Sequence, residues 1–157
     1  MTQPSAPRRA DLSHIDTWLF DLDNTLYSAT SRLFDQIDVR IGEFIAQLFD
    51  VDSVEARKIQ KSYFRQHGTT LRGLMDEHDM APEKFLEYVH DIDFSSLEPR
   101  DGLDAALSAL PGRKLIFTNA DMPYSRKILA RLGVAHHFEH IYDIVAANYV
   151  PKPFPPA

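Results

Sequence analysis

Apolar and polar positions follow three rhythms along this chain, and the changes of rhythm divide it. Thr17-Trp18-Leu19-Phe20-Asp21-Leu22 is a short apolar run, rich in aromatics and bounded by polar turn residues. That pattern predicts a buried strand over 17–22. From Ser31 to His90 the spacing turns helical. Ile37, Ile41, Phe44, Ile45 and Leu48 fall on one helical face. Asp52-Ser53-Val54-Glu55 predicts a capping box, with Asp52 as N-cap and Glu55 reaching back. Ile59, Tyr63 and Phe64 continue that helix, and Gly68 stops it. Pro82 suits the first turn of a further helix carrying Phe85, Leu86 and Val89.

After the turn-rich stretch Leu97 to Gly102, strands and helices alternate. A helix is predicted over 103–110, stopped by Pro111-Gly112. A strand follows over 114–118, a helix over 125–132 stopped by Gly133, and a third strand over 140–146. This order implies an α/β fold, a Rossmann-like parallel sheet with crossover helices and a helical cap inserted after strand one. The expected division is a core of 15–29 and 97–157, a cap of 30–96 and a disordered tail of 1–14. No internal repeat is visible, and Pro151 to Ala157 is rich in proline.

Composition narrows the function. At 157 residues, the chain suits one domain with a small insert. A net charge of −6 gives no basic face for nucleic acid. No apolar run approaches the roughly 20 residues of a membrane span. Met1 to Arg9 has two arginines but no apolar segment after them, so no secretory signal is expected. The chain has no cysteine, which excludes disulfides, thiolate metal sites and thiol nucleophiles. The expected compartment is the cytoplasm.

In a parallel α/β sheet, ligands bind beyond the carboxyl ends of the strands. Strand one leads into Asp21 and Asp23, strand two into Thr118-Asn119, and Lys152 lies beyond strand three. Negative charge at the tip of a buried strand is costly unless matched, and a metal ion or a phosphate-handling site matches it. Two carboxylates, a hydroxyl and an ammonium suit phosphoryl transfer, where catalysis is mostly positioning and charge stabilisation. One carboxylate can attack phosphorus to give an acyl phosphate, and the second can serve the leaving oxygen. Mg²⁺ can bridge carboxylate and phosphate oxygens. Each residue also has a plainer reading. Asp21 and Asp23 can be turn residues, Thr118-Asn119 a polar strand end, Lys152 a solvated lysine, Arg72 a surface ion-pair former and Trp18 a core residue. The seven histidines, His136-His137 and His140 among them, show no ligand spacing matched by acidic partners. They are expected to be surface and helix-end residues.

Phe20-Asp21-Leu22-Asp23-Asn24-Thr25-Leu26-Tyr27 resembles motif I of the haloacid dehalogenase superfamily of phosphohydrolases. Phe117-Thr118-Asn119-Ala120 resembles its motif II and Lys152-Pro153 its motif III, with the helical insert where one class carries a small cap. The resemblance implies Asp21 as nucleophile and Mg²⁺ ligand. It implies Asp23 as general acid and base, ligating the metal through its backbone carbonyl. Thr118 would hydrogen-bond the transferring phosphoryl group, and Lys152 would neutralise charge on Asp21 and the phosphate. The presence of Asp23 argues against dehalogenase chemistry.

Asn24, Tyr27 and the segment His67 to Leu74 resemble pyrimidine 5′-nucleotidases, which implies a nucleoside monophosphate as substrate. Asn119, Thr70 and Arg72 are then the candidate substrate-binding residues. The resemblance also implies a motif IV, a further strand beside strand one that ends in an acidic pair. None follows Lys152-Pro153 here. The expectation is a truncated or frame-altered member, with strand one an exposed edge open to self-association. The alternative function is a catalytically impaired relative acting as a fragment or binding module.

Overall fold

The computed structural model describes residues 11–154. Most of the predicted tail, and the last three residues of the proline-rich segment, lie outside them. Three parallel strands form one sheet: β1 (Thr17–Phe20), β2 (Arg113–Phe117) and β3 (His140–Tyr142), in the order β1-β2-β3. Thr17 pairs with Arg113 and Phe20 with Ile116; Leu115 pairs with His140 and Phe117 with Tyr142. Between β1 and β2 run α1 (Leu33–Phe49), α2 (Ser53–His67), α3 (Thr70–His78), α4 (Pro82–Val89) and α5 (Asp101–Ala109). The crossover from β2 to β3 is α6 (Met122–Leu132). This is the expected α/β arrangement, with a helical block inserted after strand one.

Local chemistry sets the boundaries. Asp52 caps α2, accepting from the backbone N–H groups of Val54 and Glu55, each at 2.9 Å. Glu55 does not reach back as a capping box requires; its carboxylate takes Lys58 Nζ at 2.8 Å. Gly68 ends α2 at φ 81°. Pro82 opens α4. Helix α6 starts three residues earlier than its apolar spacing suggested, because Asp121 caps it by accepting from Tyr124 N–H at 3.0 Å. Strand β3 ends early because Asp143 turns the chain, its carboxylate accepting from Ala146 N–H at 2.9 Å and Met122 N–H at 2.8 Å.

One hydrophobic cluster runs through both parts. Leu22, Leu26, Ile116, Tyr124 and Ile128 from the sheet layer join Leu33, Ile37, Leu74, Phe85 and Val89 from the helical block. Leu48 and Phe64, placed on helical faces by their spacing, are exposed instead. Strand β1 is an edge of the sheet, with Leu19 62% exposed. Trp18 is half-buried, and its indole N–H donates to the Pro111 carbonyl at 2.7 Å.

Helices α2 and α3 touch where Gly73 faces Tyr63. A Cβ at Gly73 would lie 2.6 Å from Tyr63 Cβ, an atom that moves only with its backbone. Gly73→Ala is therefore expected to cost about 1–3 kcal/mol, read as a lowered thermal midpoint. Gly102→Ala, in the first turn of α5 with nothing within 4 Å, is its control and is expected to leave stability unchanged or raise it.

Candidate functional site

The chain leaves β1 at Phe20 and turns at once, Leu22 O accepting from Thr25 N–H at 3.3 Å and Leu26 N–H at 3.0 Å. This turn puts Asp21 and Asp23 beyond the carboxyl end of the strand, in very different surroundings. Asp21 is exposed. Its Oδ1 accepts from Lys152 Nζ at 2.8 Å and its Oδ2 from Thr25 Oγ1 at 3.0 Å. Asp23 turns inward. Its Oδ1 accepts from the hydroxyls of Tyr27 at 2.6 Å and Tyr124 at 2.8 Å. Both tyrosines are buried, and their own oxygens lie 3.3 Å apart.

The surroundings set opposite demands on Asp23. Burial raises its pKa above the usual carboxylate range, and the nearby Asp21 charge adds to this. The two tyrosine hydrogen bonds and His90 pull the other way without cancelling the effect of burial. Burial also pushes both tyrosines upward, with the Asp23 charge adding to it, so they act as hydrogen-bond donors rather than acids. Since Oδ1 takes both hydroxyls, Oδ2 is the oxygen that can carry a proton.

Lys152 is fixed from two sides. Its Nζ donates to Asp21 and to the Phe117 carbonyl at 2.7 Å, the last residue of β2. Its backbone N–H donates to Asn119 Oδ1 at 2.8 Å. Asn119 thereby pins the segment that carries the lysine. Thr118 is buried, and its Oγ1 accepts from Ala120 N–H at 3.1 Å, which leaves its O–H free to donate. Asp23, Asn119 and Lys152 therefore border one crevice beyond the carboxyl ends of the strands, and Lys152 ties Asp21 to it.

A cavity of about 880 Å³ opens beside them, between the sheet and the helical block. Asp23, Asn119 and Lys152 form its floor, and Ile37, Leu71, Leu86 and Val89 line its walls. Phe34, Phe64 and Phe154, all exposed, also border it. Thr70 lines it too, with its hydroxyl 3.4 Å from the Gln60 carbonyl. Arg72 is not among the lining residues; its Nε pairs with Asp76 at 2.9 Å, one turn along α3.

Several roles are visible only in the folded chain. Asn24 sits at φ 56°, in the left-handed region that glycine and asparagine tolerate best. Its identity answers the backbone. Tyr124 reaches Asp23 from 101 residues away, and no spacing announces it. His90, at the end of α4, stacks on Tyr124 with ring centroids 4.3 Å apart, its Nδ1 3.1 Å from Asp121. The histidines correct their sequence reading, because folding supplies the acidic partners that spacing lacks. His67 sits between Asp76 and Glu77, His90 meets Asp121, and His136 and His137 meet Asp104. His67 and His90 do sit at helix ends, as expected, but the side chains of His67, His90 and His137 are less than one-fifth exposed rather than open to solvent.

Among the described residues, no helix is long and apolar enough to cross a membrane. A sequence model described as haloacid dehalogenase-like hydrolase matches residues 15–156. Phosphate metabolism protein 8 of Saccharomyces cerevisiae is 26% identical over 155 residues. That match takes in 88% of this chain and 48% of the yeast protein, so the chain spans about half the length of this relative.

Proposed function

The chain belongs to the haloacid dehalogenase-like hydrolases, and from that premise we propose that it is a Mg²⁺-dependent phosphohydrolase acting through an aspartyl phosphate. The observation that carries this reading is the pairing of unlike carboxylates. Asp21 is exposed and held by an ammonium, while Asp23 turns inward, where burial raises its pKa against the pull of two tyrosine hydrogen bonds. An exposed carboxylate with an oxygen open to phosphorus suits the nucleophile, and a carboxylate whose pKa burial raises suits the acid.

In the proposed reaction an oxygen of Asp21 attacks phosphorus, and the bond from phosphorus to the ester oxygen breaks. That oxygen takes the proton of Asp23 and leaves as an alcohol. Asp23, now a carboxylate, takes a proton from water as the water oxygen attacks the aspartyl phosphate. The bond from phosphorus to Asp21 breaks, and inorganic phosphate departs. Lys152 balances charge on Asp21 and the phosphoryl oxygens, and Thr118 donates its free O–H to one of them. The donor set fits Mg²⁺, which takes hard oxygens and accepts one or two protein ligands beside water and phosphate. The Asp21 carboxylate and the Asp23 carbonyl would hold it. When bound, it neutralises phosphate charge and favours in-line attack.

The proposed substrate is a nucleoside monophosphate, pyrimidine before purine. The apolar cavity beside Asp23 has room for a base and sugar, aromatic side chains at its border can stack on a base, and Thr70 and Asn119 offer polar contacts. The yeast relative is named for phosphate metabolism, which agrees with the chemistry. The test is release of inorganic phosphate from a panel of nucleotides and sugar phosphates with Mg²⁺. Pyrimidine monophosphates are expected to lead, and equal rates across the panel would refute the nucleotide assignment. Lys152→Met is expected to lower kcat by about 10²–10³-fold, the usual loss for one preorganised charge-stabilising group. An unchanged kcat would remove Lys152 from the chemistry.

Self-association through β1 is part of the same proposal. An unprotected edge strand offers its free backbone groups to another chain. Leu19→Lys is expected to shift sedimentation profiles from oligomer toward monomer, and identical profiles would exclude this edge.

A further inference from the structure

We propose that Asp104, His136 and His137 form a second metal site, for a divalent transition ion such as Zn²⁺, separate from the catalytic crevice. Asp104 lies on α5, and the two histidines lie on a 3-10 turn, Ala135–His137, between α6 and β3. That turn precedes the start of β3, whereas the catalytic groups lie beyond the strands' carboxyl ends. Both imidazole Nε2 atoms approach one carboxylate oxygen. His137 Nε2 is 2.8 Å and His136 Nε2 3.3 Å from Asp104 Oδ1. The two rings are tilted by 39° with centroids 4.0 Å apart. All three candidate ligand atoms lie within 4.8 Å of one another.

These spacings suit a shared ion. Zinc bonds of about 2.0–2.1 Å in a tetrahedron put ligand atoms about 3.3 Å apart. The His136 edge at 3.3 Å already has that length, while the 2.8 Å hydrogen bond from His137 to Asp104 would open to admit the ion. The chemistry selects the metal. Two imidazoles and one carboxylate favour Zn²⁺, Co²⁺, Ni²⁺ or Cu²⁺ over Mg²⁺, which prefers oxygen alone. Three protein ligands leave a fourth position open, and the exposed side of His136 gives solvent and ion a way in. His137 is mostly buried, so one ligand is already held in place before the ion arrives. A bound ion would join α5 to the turn before β3 and stabilise the fold by mass action.

The probe is Zn²⁺ titrated calorimetrically into the tag-free full chain, with Co²⁺ absorption as a second readout. The expected result is saturable binding of one ion with micromolar affinity and visible Co²⁺ bands. His136→Ala and Asp104→Asn are each expected to weaken binding by about tenfold or more. His136→Ala is solvent-facing and should fold, and its Mg²⁺-supported phosphate release is expected to match the parent. Loss of binding with intact phosphatase activity would thus separate this site from the catalytic proposal. Absence of saturable binding, or parental Zn²⁺ affinity in both variants, would overturn it.

Discussion

Asp21→Asn is expected to lower phosphate release by about four orders of magnitude or more while leaving the thermal midpoint close to that of the parent. The first half follows from chemistry. An amide oxygen is a poor nucleophile toward phosphorus, and the acyl phosphate cannot form. The second half follows from exposure. The ion pair between Asp21 and Lys152 is partly open to water, with side chains 45% and 27% exposed, and such pairs contribute about 0–1 kcal/mol. Asparagine keeps an oxygen for Lys152 Nζ and a polar atom beside Thr25. Acid-quenching the parent with labelled substrate should leave label on the peptide containing Asp21, and the variant should show none. Parental turnover in Asp21→Asn would mean that water attacks phosphorus directly. If the parent releases no phosphate yet binds nucleotide as tightly as the variant, the chain is a binding module instead.

The sequence made Asp21 visible for a physical reason. An apolar run that ends in charge stands out in a linear string, although the expected burial of that strand is not seen: β1 is an edge with no fully buried residue. Asp52, Gly68, Pro82 and Gly133 stand out likewise, because their cap and stop roles depend on neighbours within one turn. Partners brought together by folding were not legible. Tyr124 reaches Asp23 across 101 positions, Asn119 meets Lys152 across 33, and Asp104 meets His137 across 33. Phe64 illustrates the opposite error. Its spacing fits an apolar helical face, but Tyr63 and Ile59 take the core side of α2 and Phe64 stands exposed at the border of the cavity. Asn24 carried a family signal that the fold explains by its positive φ, so substrate preference has to be sought in the cavity walls.

Asp23→Asn is the change expected to separate the two halves of the reaction, and to stabilise the protein as it does so. Burial raises the Asp23 pKa in the folded chain above its unfolded value, so ionisation opposes folding. The sign follows from linkage. Below both values the group is neutral in either state and costs nothing. As pH rises through the unfolded and then the folded value, the unfolded state gives up its proton first, and stability falls to a plateau. Asparagine is neutral throughout and can still accept from Tyr27 and Tyr124. The thermal midpoint of Asp23→Asn should therefore match the parent near pH 3 and exceed it at neutral pH, with the gap opening in between.

Turnover should move the other way, by about 10²–10⁴-fold for alkyl phosphates, because the leaving alkoxide finds no proton. An aryl phosphate needs no such help. It should give a burst of about one phenolate per chain and then stall, because no base activates water against the aspartyl phosphate. Tyr27→Phe tests the same group from the other side. Removing a donor to the carboxylate raises the Asp23 pKa further. The alkaline limb of kcat/KM, set by loss of the acid form, should then move to higher pH. A limb that stays in place, together with steady turnover of the aryl substrate by Asp23→Asn, would show that Asp23 carries no proton in this reaction.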